Sequence, residues 1–158
     1  NYVSNVNFTL SRSNIDVTYF DCSNGKDGMQ CISGTGIGKN NVSDINYQQM
    51  STSSCFGSGR RVDVGAAFSG YILFPYQGNW TLYLRGDDEA RLYIGNLSSA
   101  FITNAGNLGM AEVNKSFKTT TANEIKAFAA RVVQGSGQCG FILQWSHQSQ
   151  TKQVIPES

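Results

Sequence analysis

The chain has 158 residues, enough for one domain with a buried core, and carries a formal net charge of +1. Charged residues make up only 15% of it, and the basic ones are scattered, which disfavours a nucleic-acid-binding surface. No apolar run approaches 18 residues, so we expect no membrane insertion by this domain. A polar but weakly charged composition, rich in Gly, Ser, Thr, Asn and Tyr, is typical of an extracellular β-protein.

Four cysteines indicate an oxidising compartment. Their even number, outside any C-x-x-C pair, disfavours a zinc site and a redox dithiol and predicts two disulfides. Of the three possible pairings we favour Cys22–Cys31, which closes a Gly-rich loop, together with Cys55–Cys139, which closes a long one. The alternative is four reduced, buried cysteines in a cytosolic protein.

Sequons for N-glycosylation also favour a secreted or cell-surface protein. Five N-x-S/T triplets are a mild excess for a chain so rich in Asn, Ser and Thr. They begin at Asn7, Asn41, Asn79, Asn96 and Asn114. The way in which the chain starts predicts a mature or excised domain of a longer protein.

Short apolar runs with a period of two predict β-strands joined by Gly/Asn turns. Inward and outward positions alternate in Trp80–Leu84, Ala90–Ile94 and Phe141–Trp145. The run Ile125–Val133 fits a strand or a helix, and its β-branched end favours a strand. Many short strands with such turns predict an all-β fold, an antiparallel sandwich or barrel.

The segment 21–59 differs from the rest of the chain. It is rich in Ser, Gly and Asn, contains few apolar residues and carries three of the four cysteines. We interpret it as long loops held by the disulfides. The whole of 1–158 is therefore predicted to be a single ligand-binding domain.

Two adjacent carboxylates, Asp87 and Asp88, lie between strand-like runs. Because like charges repel, such a pair points to a bound cation, and calcium is the hard cation that carboxylates favour. Glu89 beside them is interpreted as solvated. An enzyme is not predicted, because the single histidine, His147, supports neither a metal cluster nor a Ser-His pair, and no pair of carboxylates can be placed across a cleft.

The central segment resembles the protective-antigen (PA-14) domain family, and the resemblance is clearest over residues 60–156. About a dozen positions match the family pattern in order. They are Phe68, Gly70, Tyr71, Ile72, Pro75, Gly78, Trp80, Thr81, Asp87, Asp88 and Arg91–Ile94. The segments Ala130–Val133 and Phe141–Trp145 look like the family's closing pair of strands. This resemblance implies an antiparallel β-sandwich of the PA-14 type.

The resemblance also implies calcium-dependent carbohydrate binding, as in adhesin members of the family. In those lectins two adjacent aspartates, joined by a cis peptide bond, hold Ca²⁺, and vicinal sugar hydroxyls bind the ion. By position, Asp87 and Asp88 correspond to that pair. The partners implied are glycans on a cell or other surface.

A second loop completes the calcium shell in those lectins, with an Asn side chain and backbone carbonyls. Here the corresponding stretch is Gln134–Gly140, which contains no Asn or Asp. Ser136 and Gln138 are the side chains expected to assist the metal, and Gln134, Gly137 and Gln138 are expected near the ligand. The departure leaves open an alternative function, a structural or protein-interaction module that keeps the fold without binding sugar.

Overall fold

The computed structural model of the chain describes residues 14–23, 28–51, 53–106 and 109–156. Within these ranges the backbone is built of β-strands and two short 3₁₀ turns, Gly28–Cys31 and Cys55–Gly57. The strands are β1 Ile15–Asp21, β2 Gly38–Val42, β3 Asn46–Met50, β4 Val64–Phe74, β5 Gly78–Asp87, β6 Glu89–Ile94, β7 Ile102–Asn104, β8 Glu112–Thr119, β9 Glu124–Gln134, β10 Cys139–His147 and β11 Gln150–Val154. The ambiguous run Ile125–Val133 is therefore a strand, as its β-branched end predicts.

The strands form two antiparallel sheets that pack face to face. One has the order β2-β1-β4-β9-β6-β7, and the other has the order β11-β10-β5-β8. Strand β3 joins the second sheet by pairing with the first half of β10, and β11 pairs with its second half. The predicted all-β sandwich is confirmed.

Alternating side chains on both sheets build the core. On β5, Trp80, Leu82 and Leu84 are fully buried, whereas the residues between them face outward. The rings of Trp80 and Trp145, from neighbouring strands, lie 4.7 Å apart at their centroids. The facing sheet contributes apolar side chains in the same alternation, namely Ala66, Phe68, Ile72, Phe74, Ala90, Leu92, Phe128, Ala130 and Val132.

The chain passes from one sheet to the other at Asp88. Strand β5 of the second sheet ends at Asp87, and β6 of the first sheet begins at Glu89. Two close approaches make this corner: the Asp88 N–H donates to the carbonyl of Val133 at 2.8 Å, and Gly86 faces Ala90. A Cβ at Gly86 would lie 2.3 Å from the Cβ of Ala90, so only glycine fits there.

The segment 21–59 is more regular than its composition predicts. It supplies β2 and β3 as well as both 3₁₀ turns. Composition misses these strands because they lie at sheet edges, where one hydrogen-bonding side and most side chains remain exposed and polar residues suffice. The favoured disulfides are present: Cys22 bonds Cys31, and Cys55 bonds Cys139.

Four sequon asparagines lie in the described part of the chain, and all are exposed. They are Asn41, Asn79, Asn96 and Asn114. The fifth, Asn7, falls outside the described residues. Their exposure is compatible with glycosylation, which stays a prediction.

Across the described ranges, the structure contains no helix with the length and apolar character that crossing a membrane requires.

The two disulfides differ in the length of chain that they close, 84 residues for Cys55–Cys139 against nine for Cys22–Cys31. In the loop-entropy model we expect the free energy of unfolding to fall by about 4.5 kcal/mol when the long bridge is removed and by about 2.5 kcal/mol when the short one is removed. Urea unfolding of the Cys55→Ala/Cys139→Ala and Cys22→Ala/Cys31→Ala variants measures both losses. A larger loss from the short bridge would contradict the expectation.

Candidate metal and ligand site

The Asp87–Asp88 pair occupies the corner between the two sheets. Asp87 is the last residue of β5 and pairs with Gly140 of β10. Its side chain is buried, with 7% of the residue exposed, whereas Asp88 is partly exposed. The peptide bond between them is cis, as the resemblance implies.

Two donors from different parts of the fold hold the carboxylates. Gln49 of β3 donates its Nε2–H to Oδ2 of Asp87 at 2.9 Å. The backbone N–H of Gly135, just after β9, donates to Oδ2 of Asp88 at 2.8 Å. Each aspartate is thus fixed through one oxygen.

Burial and charge both act on Asp87. Burial raises the pKa of its carboxyl group, and the neighbouring carboxylate of Asp88 raises this pKa further, while the Gln49 hydrogen bond lowers it. Burial and the second carboxylate both disfavour the negative charge on Asp87, and the Gln49 hydrogen bond compensates it only in part. A cation bound between the two carboxylates would supply the missing compensation.

The second predicted loop is shorter in the structure than the stretch Gln134–Gly140. Gln134 ends β9 and Cys139 begins β10, so the connecting β9–β10 loop comprises residues 135–138. Ser136, Gly137 and Gln138 are exposed on it. Its far end is fixed by the Cys55–Cys139 disulfide.

The buried side chain of Gln134 supports the β9–β10 loop through a hydrogen bond. The residue is fully buried and donates its Nε2–H to the carbonyl of Ser136 at 2.7 Å, while its Oε1 has no hydrogen-bond partner in the described structure. The carbonyl of Gly135 accepts from the N–H of Asp63 at 2.9 Å. Two loop carbonyls therefore already accept one hydrogen bond each, which leaves them one lone pair for another partner.

An open depression of about 410 Å³ lies beside Asp88. It is lined by Gly28, Asp88, Glu89, Gly106, Val133, Gly135 and Ser136. The structure thus brings together Asp88 and Ser136, two of the four predicted metal residues. Gly137 and Gln138 follow at the exposed tip of the same loop. Gln134 is instead buried and contacts the loop through its hydrogen bond to Ser136.

Sequence reasoning missed the contribution of β3. Gln49 is 38 residues from Asp87, and no local pattern announces their contact. The contact depends on a close approach of strands, because a Cβ at Gly140 would lie 3.0 Å from the backbone of Gln49. A glycine in an otherwise apolar strand is the one signal that hints at such an approach.

The donor chemistry of the site suits a hard cation. No group of three His, Cys, Asp or Glu side chains converges in the parts of the chain that the structure describes. Two carboxylates with hydroxyl, amide and backbone oxygens around them form an oxygen-only set, which Ca²⁺ accepts and which Zn²⁺ does not prefer. The arrangement fits calcium provided that the β9–β10 loop and a ligand supply the remaining oxygens.

A family comparison agrees with the fold. The model of the PA14 domain matches residues 18–156. The chain belongs to the PA14 domain family. A search of the curated proteins finds no match for this PA14 domain.

Solved structures with the same fold come from several contexts. One is an anti-sigma factor domain-containing protein, with 16% identity and a TM-score of 0.75; the match covers 92% of this chain and 46% of that one, so this chain spans about half its length. Another is the PA14 sugar-binding domain of an RTX adhesin, with 14% identity and a TM-score of 0.69, covering 94% and 100%. A third is the Epithelial Adhesin 6 A domain from Candida glabrata in complex with Galβ1-3GlcNAc, with 11% identity and a TM-score of 0.67, covering 96% and 87%. Identities this low show a shared fold.

Removing one of the two charges should stabilise the metal-free domain. We expect Asp87→Asn to raise Tm in EDTA by about 2 °C, because it removes a buried charge next to another and keeps an oxygen for Gln49. Thermal melts followed by circular dichroism measure the shift. Asp44→Asn, on the loop at the other end of β3, is the matched control and should leave Tm unchanged; a fall in Tm of the Asp87 variant in EDTA would contradict the account.

Proposed function

We propose that this PA14 domain is a calcium-dependent carbohydrate-binding module of an extracellular adhesin or receptor. One observation carries the proposal: two neighbouring carboxylates, Asp87 and Asp88, are each held through one oxygen, and Asp88 lines an open depression. Asp87 is buried and forms no ion pair among the described residues, and buried charges of this kind cluster at functional sites.

Asp87 and Asp88 would hold the ion, and the β9–β10 loop would complete its shell. The Ser136 hydroxyl, the Gln138 amide and loop carbonyls are the oxygens available there. When bound, calcium supplies coordination positions for neutral oxygens such as adjacent sugar hydroxyls. Gln49 and the N–H of Gly135 orient the two carboxylates, which lowers the cost of organising the site when the ion binds.

The relatives support a carbohydrate ligand. A sugar-binding domain of an RTX adhesin and an adhesin domain in complex with Galβ1-3GlcNAc share the fold over nearly the whole of this chain. The two disulfides and the exposed sequon asparagines support an extracellular or surface location. A single open site implies weak affinity, in the micromolar to millimolar range, so adhesion would depend on many copies.

A protein-interaction module without sugar binding is the second candidate. It is favoured by the β9–β10 loop, which contains no Asn or Asp and whose Gly135 and Ser136 carbonyls already accept hydrogen bonds. The anti-sigma factor domain-containing neighbour is named for another context. This candidate predicts a fold that is indifferent to calcium.

The deciding experiment is a glycan array probed with the domain in about 5 to 10 mM calcium and again in EDTA. This calcium concentration is several times the Kd of the weakest extracellular calcium sites, which is on the order of 1 mM. We expect binding in calcium that is lost in EDTA. The Asp87→Asn and Asp88→Asn variants should lose binding at least tenfold, whereas Asp44→Asn should bind like the unmodified domain. Binding that survives in EDTA or in both aspartate variants would refute the mechanism.

Calcium should also stabilise the folded domain. A metal that binds only the folded state at 100 times its Kd adds about 2.7 kcal/mol to the free energy of unfolding. We therefore expect Tm to rise on adding calcium to the unmodified domain and to stay constant for Asp87→Asn. An unchanged Tm in millimolar calcium would favour the protein-interaction candidate.

A further inference from the structure

A second groove continues from the depression beside Asp88 along the outer face of the first sheet. It encloses about 520 Å³ and is lined by Gly28, Met29, Gln30, Glu89, Arg91 and Arg131. We call it the arginine groove. It shares Gly28 and Glu89 with the depression, so the two form one continuous surface.

The pleat of β6 and β9 places the charged residues on this outer face. On β6, Ala90 and Leu92 are fully buried in the core, so Glu89 and Arg91, which alternate with them, face outward. Arg131 is the direct cross-strand partner of Arg91. Two like charges directly opposite each other destabilise a sheet unless something else pairs with them.

The described lining of the groove has one carboxylate, Glu89, for two guanidinium groups, and it pairs with Arg91. Arg91 donates to Oε1 of Glu89 from Nε at 3.0 Å and from Nη2 at 2.7 Å. The Arg131 guanidinium lies over the ring of Tyr93, 5.1 Å from its centroid, and forms no ion pair within the described ranges. Among the described residues that line the groove, Arg131 is therefore the positive charge without a carboxylate partner.

The disulfide-bonded 3₁₀ turn forms the opposite wall. Met29 and Cys31 pack against Val133 of β9 in a small apolar cluster, which holds the turn on the sheet. Gln30 is exposed at the edge of the groove. Glu89 contacts the turn as well, because a Cβ at Gly28 would lie 2.5 Å from its Oε2. The groove is thus a fixed channel between two anchored walls.

The separation of the groove from the aspartate pair suits an oligosaccharide. Asp88, at the corner, and Arg91, on β6, are three residues apart, a span of at most about 10 Å, and Glu89 between them lines both the depression and the groove. Arg131 lies one strand further across, about 5 Å from Arg91. A sugar bound beside Asp88 would direct a neighbouring sugar or substituent into the groove.

We propose that the arginine groove is an anion subsite, and that the domain prefers glycans bearing a carboxylate or sulfate group beside the sugar that is bound at Asp87 and Asp88. This inference rests on the proposed function. The anionic group accepts hydrogen bonds from the Arg131 guanidinium, whose planar fork matches both carboxylate and sulfate oxygens. Arg91, held by Glu89, adds a positive field and fixes the position of the channel wall.

The test uses a calcium-containing array on which each neutral oligosaccharide is printed beside its sulfated form and its sialic or uronic acid form. We expect the unmodified domain to bind an acidic form about tenfold more tightly than the neutral one. Arg131→Gln should bring this ratio close to one while neutral binding is kept. Comparing the sulfated and carboxylate-bearing forms identifies which anion the subsite takes.

Lys118→Gln is the matched charge control. It removes one positive charge from β8, opposite Asn79 at the far end of β5, about 26 Å along the strand from Asp87. We expect this variant to keep the acidic-to-neutral ratio of the unmodified domain. Arg131→Lys, which keeps the charge but loses the planar fork, should retain part of the preference.

Each other outcome overturns the inference in a recognisable way. Equal binding of neutral and acidic forms by the unmodified domain, or a preference that survives in Arg131→Gln, rejects the anion subsite and leaves calcium-dependent binding intact. A purely structural Arg131, needed only to cover Tyr93, would lower Tm in Arg131→Gln and leave the ratio unchanged. Absence of calcium-dependent binding to every glycan would reject the proposed function and the subsite together.

Discussion

The site depends on one constraint: the chain passes from one sheet to the other within a single residue. Strand β5 ends at Asp87 and β6 begins at Glu89, so Asp88 alone turns the corner. The contact of Gly86 with Ala90 and the hydrogen bond from Asp88 to Val133 leave the backbone no room to relax. Well-packed elements therefore hold the two carboxylates, which repel each other, side by side at the corner.

Elements far apart in the chain converge on that corner and give it its chemistry. Gln49 arrives from β3, Gly135 from the end of β9, and Gly28 from the turn that the Cys22–Cys31 bridge closes. Each brings a hydrogen-bond donor or a wall to carboxylates that β5 and β6 supply. The sheets set the positions of the aspartates, while the exposed β9–β10 loop beside Asp88 is a connection between strands. This division explains how one fold can serve sugar binding in some proteins and other tasks elsewhere.

Periodicity predicted the central strands and missed the edges. Trp80, Leu82 and Leu84 alternate because both sheets bury one face, and this local signal suffices to predict β5. Strand β11, with the sequence Gln-Thr-Lys-Gln-Val, and β2, with Gly-Lys-Asn-Asn-Val, carry too few apolar residues to alternate visibly. Such strands form because a neighbour offers unpaired backbone groups, which is information that the local sequence does not contain.

The candidate site divides in the same way between local and long-range information. Adjacent aspartates and the resemblance predicted the carboxylates, the cis bond and the loop facing them. The hydrogen bond from Gln49 and the pairing of Arg91 with Arg131 were not predicted, because both depend on strand register. The burial of Gln134 was missed for a similar reason, since a polar side chain at a strand end gives no sign of which way it points. A functional group formed by residues adjacent in sequence can be predicted from the sequence. A group formed by residues on different strands can be identified only when the fold is known.

The Cys55–Cys139 bond has a mechanical consequence for a domain that is pulled along its chain. Tension entering from before Cys55 and leaving after Cys139 passes through the sulfur–sulfur bond, so the 83 residues between the two cysteines carry none of it. Strands β4 to β9, with Asp87 and Asp88 among them, lie inside this bypassed stretch. Strands β1, β2, β3 and β11 lie outside it, and the edge strands among them, β2, β3 and β11, would separate from their sheets first. The disulfide therefore separates the parts of the domain that bear load from the stretch that contains Asp87 and Asp88.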